Sequence, residues 1–221
     1  MIVDDLESPT FLILLSGPLA PTARLKALCR GTRIIAADSG MQHAATLGLT
    51  PELWVGDFDS TDPVLAGEWA SVPREPYPAA KNETDGAIAV EAALVRGARS
   101  LILAGALGGP RSDHALAHFA HGMALAEKGS GVVMTSGEEE AVPLGEAPRT
   151  FDLPAGSLFS IIGFSTIEKL SITGARYPLK DHHAPFGTTR TVSNVAEGPI
   201  TISHSGGRAL LIARPYDLSG A

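Results

Sequence analysis

The segment Leu53-Trp54-Val55-Gly56-Asp57-Phe58-Asp59-Ser60 decides how the rest of the chain is understood. Three apolar residues run into a glycine, and two aspartates follow, one residue apart. The apolar run has the character of a buried strand at its end, and Gly56 is where the chain turns out of the sheet. In an extended segment residues i and i+2 point the same way, about 6.5–7 Å apart. Asp57 and Asp59 would then aim two carboxylates at one point, with Phe58 turned back into the protein. Carboxylates that close repel each other unless a cation sits between them. Mg²⁺ suits the place: it takes oxygen ligands, is commonly held by one or two carboxylates, and completes its shell with water and substrate phosphates. The alternative is a loop in which one aspartate caps a helix and the other is solvated.

Moving outward, apolar runs alternate with helical patterns. Residues 11–15 and 33–37 are short buried strands, ended by Ser16-Gly17-Pro18 and Asp38-Ser39-Gly40. Helices are expected over about 22–30, 41–47, 62–70, 84–96 and 113–128, with further strands at 101–104 and 132–134 and a short one near Arg74–Tyr77. Such alternation predicts βαβ units, a mainly parallel sheet flanked by helices, and ligands beyond the carboxyl ends of the strands. Asp38, Asp57, Asp59, and Arg111 with Asp113 all follow apolar runs, so they converge on that rim. Near residue 137 the texture changes. Gly137-Glu138-Glu139-Glu140 and the Pro143–Pro148 region look like a boundary. Short segments then follow at Ser157–Phe164, Ile167–Ile172, Thr189–Val195, Ile200–Ser203 and Ala209–Arg214. The expectation is an α/β domain over 1–137 and a smaller all-β sandwich over 145–221.

Composition narrows the partners. Of 221 residues, 44% are hydrophobic, enough for a proper core, and the formal charge is −7. No basic run offsets that charge, which argues against nucleic acid or an anionic membrane surface. Cys29 is the single cysteine, so no intrachain disulfide forms. The acidic N-terminus is unlike a secretory signal, and no stretch approaches the ~20 apolar residues of a membrane span. A soluble cytoplasmic protein is expected.

Two further stretches can carry chemistry. Lys81-Asn82-Glu83-Thr84-Asp85 opens a helix. Thr84 can be its N-cap and Asp85 a first-turn acid, or Asp85 can be a third metal carboxylate with Thr84 and Lys81 near phosphates. Gly105 to His118 places glycines between a strand and a helix, where backbone N–H groups approach an anion, and Arg111 is suited to clamping phosphate. The loop is neither a Walker A sequence nor a Gly-x-Gly-x-x-Gly dinucleotide site. His114, His118 and His121 share one helix face, but packing or solvation accounts for them better than zinc, since imidazoles alone do not specify a site. His182-His183 is expected in a loop.

Taken in order, Ala37-Asp38-Ser39-Gly40, Gly56-Asp57-Phe58-Asp59-Ser60, Lys81 with Thr84-Asp85, Gly108-Gly109, Arg111-x-Asp113-His114-x-Leu116-Ala117, Tyr177-Pro178-Leu179 and Ser193-Asn194 resemble the thiamine pyrophosphokinase (thiamine diphosphokinase) family over nearly the whole chain. The resemblance implies a homodimeric enzyme that moves pyrophosphate from ATP to the hydroxyl of thiamine with Mg²⁺, thiamine lying where the two kinds of domain meet across the dimer. It assigns Asp57, Asp59 and Asp85 to the metal, and Asp38, Lys81, Thr84, Arg111 and Asp113 to the nucleotide and its phosphates. Ser193 and Asn194 go to the aminopyrimidine. Pro110 intervenes before the arginine, His118 stands where Asn is common, and Val195 stands where Glu is usual. The β domain has no tryptophan to stack on thiamine, leaving Phe186 and Tyr177 as candidates. Two rivals use the same residues. In a phosphatase of haloacid-dehalogenase type a strand also ends in Asp-x-Asp, and Thr61 matches, but there the pair opens the fold. A non-catalytic nucleotide or thiamine sensor gains nothing from three clustered carboxylates facing a triphosphate.

Overall fold

The computed structural model describes residues 6–59, 61–78 and 83–220. Lys81 and Ser60 fall outside them. Six parallel strands form the first half: β1 (Thr10–Leu14), β2 (Arg33–Ala37), β3 (Leu53–Gly56), β4 (Arg74–Pro76), β5 (Ser100–Ala104) and β6 (Gly131–Thr135), in the order β4-β3-β2-β1-β5-β6. The strands read as unbroken apolar runs because both faces are covered. Leu12, Leu14, Ala36, Trp54 and Ile102 point to one side, where α1 (Ala23–Leu28), α2 (Gln42–Leu47) and α3 (Pro63–Glu68) pack. Phe11, Ile13, Ile35, Val55 and Leu103 point to the other, against α4 (Asp85–Val95) and α5 (Ser112–Glu127). Thr22, Asp62 and Thr84 cap their helices by accepting a backbone N–H. None of the described helices is long and apolar enough to cross a membrane.

The second half begins with a strand that was not expected. Glu140–Leu144, inside the stretch that looked like a boundary, is a strand, β7, antiparallel to β6. The sheet continues through β7 to β13 (Ala209–Arg214), β9 (Leu158–Gly163) and the start of β12 (Asn194–Ser203). It is therefore mixed, not mainly parallel. Pro143 and the acidic run hid β7, because both are depleted in strands. Here Glu140 is held by an ion pair, and Pro143 pairs with Leu210. The remainder of β12 passes into a second sheet with β10 (Ile167–Ala175), β11 (Leu179–Ala184) and β8 (Arg149–Phe151). Phe151, Phe159, Leu170, Ile202 and Leu211, drawn from both sheets, share one core. The expected strand at 189–195 is mostly turn, with β12 starting only at Asn194, while His182 and His183 lie in strand β11 and not in a loop.

Candidate functional site

At the carboxyl ends of the parallel strands the loops touch through their backbones. A side chain at Gly17 would collide with the carbonyl of Gly105, its Cβ 2.2 Å from the oxygen; one at Gly40 would do the same to the carbonyl of Leu14. This close weave of β1, β2 and β5 loops fixes the platform on which the acidic residues stand.

Asp57 and Asp59 lie on one tight turn and are not an extended pair. Strand β3 stops at Gly56, and Phe58 is left-handed, with φ 60°. The backbone N–H of Asp59 donates to Asp57 Oδ1 at 3.1 Å, closing a tight turn. Phe58 does turn inward, meeting Trp54 edge to face with ring centroids 5.2 Å apart. The guanidinium of Arg74 lies 4.8 Å from the Trp54 ring centre and 5.6 Å from that of Phe58. Trp54 Nε1 donates to the carbonyl of Asp38 at 2.8 Å. Asp38, itself left-handed, opens a 3₁₀ turn over Asp38–Met41. A Cβ on Gly56 would stand 3.3 Å from Asp38 Cα, so Asp38 and Asp57 are neighbours across β2 and β3.

Asp85 begins α4 under its cap Thr84, whose hydroxyl accepts from Ala87 N–H at 3.2 Å. The next residue, Gly86, abuts Leu15 just past β1. Only β2 separates the ends of β1 and β3, a gap of about 10 Å at ordinary strand spacing. Among the described residues no three acidic, histidine or cysteine side chains are gathered as a metal-binding group. The donor chemistry nevertheless fits Mg²⁺, with two carboxylates on one turn and oxygen ligands only.

After β5, Gly108 and Gly109 are both left-handed and Gly109 packs on Pro18, so Pro110 leaves the glycine turn intact. Arg111 grips Asp113 with two hydrogen bonds, 2.9 and 2.7 Å, both side chains being exposed. The guanidinium holds the Asp113 carboxyl far below the usual carboxylate range. The Arg111 guanidinium is thus occupied by Asp113. His114, His118 and His121 face a cleft of about 470 Å³ between α4 and α5, opposite Glu83 and Glu91. His118 donates from Nδ1 to the carbonyl of Ala106 at 3.0 Å, and burial pulls its pKa and that of His121 down.

Asn194 holds the neighbouring main chain. Its side chain is 6% exposed, Oδ1 accepts from the N–H groups of Tyr177 and Val195, and Nδ2 donates to the carbonyl of Tyr177. The amide mimics a strand edge and pins the Tyr177 main chain, with one N–H left for any ligand. Ser193 is exposed, left-handed, and donates its N–H to Ser160 Oγ. Val195 is buried against Gly220, leaving no room for the usual Glu. Arg176, Tyr177, Leu179, Arg190, Thr191 and Asn194 line a concavity of about 390 Å³. Sequence reasoning missed both arginines; their only signal was that they flank Tyr177-Pro178-Leu179 and Ser193-Asn194.

These two places share one rim. Paired residues run across the sheet from Trp54 through Ala36, Leu14, Ala104, Thr135, Glu140, Ala213 and Phe159 to Asn194. Eight strand steps separate the ends, roughly 40 Å at ordinary spacing. Midway, buried Glu140 receives two hydrogen bonds from Arg24 of α1, 2.9 and 3.0 Å.

Residues 26–134 match the family model described as thiamin pyrophosphokinase, catalytic domain, and residues 148–208 match thiamin pyrophosphokinase, vitamin B1 binding domain. Among solved structures, thiamine pyrophosphokinase from Bacillus subtilis is similar at 24% identity and a TM-score of 0.83, covering 95% of this chain and 100% of that one. Its counterpart from Geobacillus thermodenitrificans is 24% identical with a TM-score of 0.79 over 93% and 97%. That from Candida albicans is 14% identical with a TM-score of 0.76 over 93% and 90%. At these identities the likeness is one of fold. No curated protein matches the chain. The two family models do not favour the phosphatase or the sensor.

Proposed function

This chain belongs to the thiamin pyrophosphokinase family, and from that premise we propose how its two halves share the work. It is an enzyme, a transferase with thiamine diphosphokinase activity. ATP is the donor in our reading. The thiamine hydroxyl oxygen gives up its proton to solvent and bonds to the β-phosphorus in line, the bond from that phosphorus to the α–β bridging oxygen breaks, and AMP leaves. Residues 1–137 act as the nucleotide unit and 145–221 as the thiamine unit.

Asp57 and Asp59, with Asp85 across the end of β1, would hold Mg²⁺, whose charge neutralises the triphosphate oxygens. Asp38, fixed through Trp54, Thr84 and Lys81 border the nucleotide. Arg111 is released from Asp113 when phosphate arrives. Asn194 acts by holding the Tyr177 wall, and the Ser193 hydroxyl meets the aminopyrimidine. Positioning and charge stabilisation carry the reaction, as in other phosphoryl transfers.

One observation supports a homodimer: the carboxylates after β3 and the thiamine residues at the start of β12 lie on one rim but eight strands apart. No small substrate bridges roughly 40 Å, so a second copy, turned end for end, completes each site. The enzyme works in the cytoplasm. The test is an AMP-release assay on the purified protein, with sedimentation. Equal AMP and thiamine diphosphate, formed only with ATP, thiamine and Mg²⁺ by a species of twice the chain mass, is expected. Full turnover by a monomer would overturn the shared site.

A further inference from the structure

Among the described residues every arginine except Arg30, Arg176 and Arg190 holds a side-chain partner. Two of those three line the concavity beside Asn194. That is an unexpected place for free guanidiniums if the seat served thiamine alone. The thiazolium ring is a cation, and two more positive charges in one concavity oppose its binding. They become useful only when an anion enters with it. Transfer supplies that anion. The substrate arrives as a monocation and leaves carrying two phosphates with net negative charge.

We propose that Arg176 and Arg190 clamp the diphosphoryl group joined to thiamine, so that the concavity bounded by Tyr177, Thr191 and Asn194 is a seat for thiamine diphosphate as well as for thiamine. The planar guanidinium suits the task, because it meets phosphate oxygens two at a time. Before transfer the pair draws the β- and γ-phosphates toward the hydroxyl; afterwards it holds the product until release. This rests on the thiamine diphosphokinase reading above.

The test is titration of the full chain with thiamine and, separately, with thiamine diphosphate, for the parent protein, Arg176→Gln, Arg190→Gln and the double variant. Both arginines are exposed, so the variants should keep their melting temperature. Thiamine diphosphate affinity should fall about tenfold or more in the double variant, as expected for lost charge-assisted bonds, with thiamine affinity equal to or above that of the parent. Product inhibition should weaken in parallel. Undiminished thiamine diphosphate binding, or an equal loss for thiamine, would overturn the clamp. A parent protein that releases no AMP with thiamine would sink the functional reading instead, so the two failures are told apart.

Discussion

The two ends of the shared rim are built by opposite means. At the parallel end backbone touches backbone: Gly17 on Gly105, Gly40 on Leu14, Gly56 beside Asp38. Side chains there are acidic or already committed, Arg111 to Asp113 and Trp54 to the Asp38 carbonyl. At the β end side chains make the wall, an asparagine stands in for a strand edge, and two exposed guanidiniums, Arg176 and Arg190, line the concavity. A backbone platform tolerates almost no drift, which would suit the proposed metal carboxylates. A side-chain wall can adapt, which would suit the proposed seat for a ligand whose charge changes sign. Each end holds what the other lacks.

The sharpest way to test this contrast is to remove charge from the parallel end. Asp59→Ala, and Asp57→Asn, which keeps an acceptor for the Asp59 N–H, should each lower turnover by about 10²–10³-fold, the scale of losing one preorganised electrostatic contact. Both should melt within a few degrees of the parent, because the turn is largely held by Phe58 on Trp54. AMP release and thermal unfolding measure the two effects. Near-parent turnover in both variants would remove the metal assignment.

Much of this was legible beforehand, and the exceptions share a cause. Strands β1 to β6 and helices α1 to α5 followed from periodicity and caps, since local sequence decides them. That Asp38 and Asp57 follow the ends of neighbouring strands β2 and β3 was expected from strand–helix alternation. What was hidden depended on distant partners. Strand β7 needs Arg24 to neutralise Glu140, 116 residues away in sequence. Strand β11, Leu-Lys-Asp-His-His-Ala, is a polar edge strand with little alternation to betray it. The hold of Asn194 on the Tyr177 main chain needs a partner 17 residues away in sequence. Phe58 kept its inward direction but reached it through a left-handed backbone, which no apolar pattern announces.

A second prediction attacks the seam between the ends. Glu140 is 1% exposed and doubly bonded to Arg24, and Arg24 also reaches the carbonyl of Asp152. Glu140→Ala strands the guanidinium and should cost about 3 kcal/mol of unfolding free energy. Urea unfolding followed by tryptophan fluorescence reports the parallel end, where Trp54 and Trp69 both lie; far-ultraviolet circular dichroism reports the whole chain. The two curves should coincide in the parent and separate in the variant. Coincident curves at unchanged stability would mean that the continuous sheet alone unites the halves.

The smallest effect expected is one of pH, and it belongs to the parallel end. His43 is bonded through Nε2 to the Gly17 carbonyl at 2.9 Å, and His118 through Nδ1 to that of Ala106, so both pin the rim loops. Burial is the main cause that lowers both pKa values from the ordinary 6.5. The unfolded chain therefore binds protons more readily than the fold does. The stability associated with neutral imidazoles is fully present above pH 6.5 and is lost as pH falls through the lowered folded values. The melting temperature should drop by a few degrees on going from pH 7.5 to mildly acid buffer, and hydrogen exchange should quicken first in β1 and β5. His118→Asn retains a donor for the Ala106 carbonyl and removes the titration, so its acid loss should shrink. Equal acid loss in that variant would assign the effect to other groups. Faster exchange starting in β10 to β12 would locate it at the opposite end of the rim.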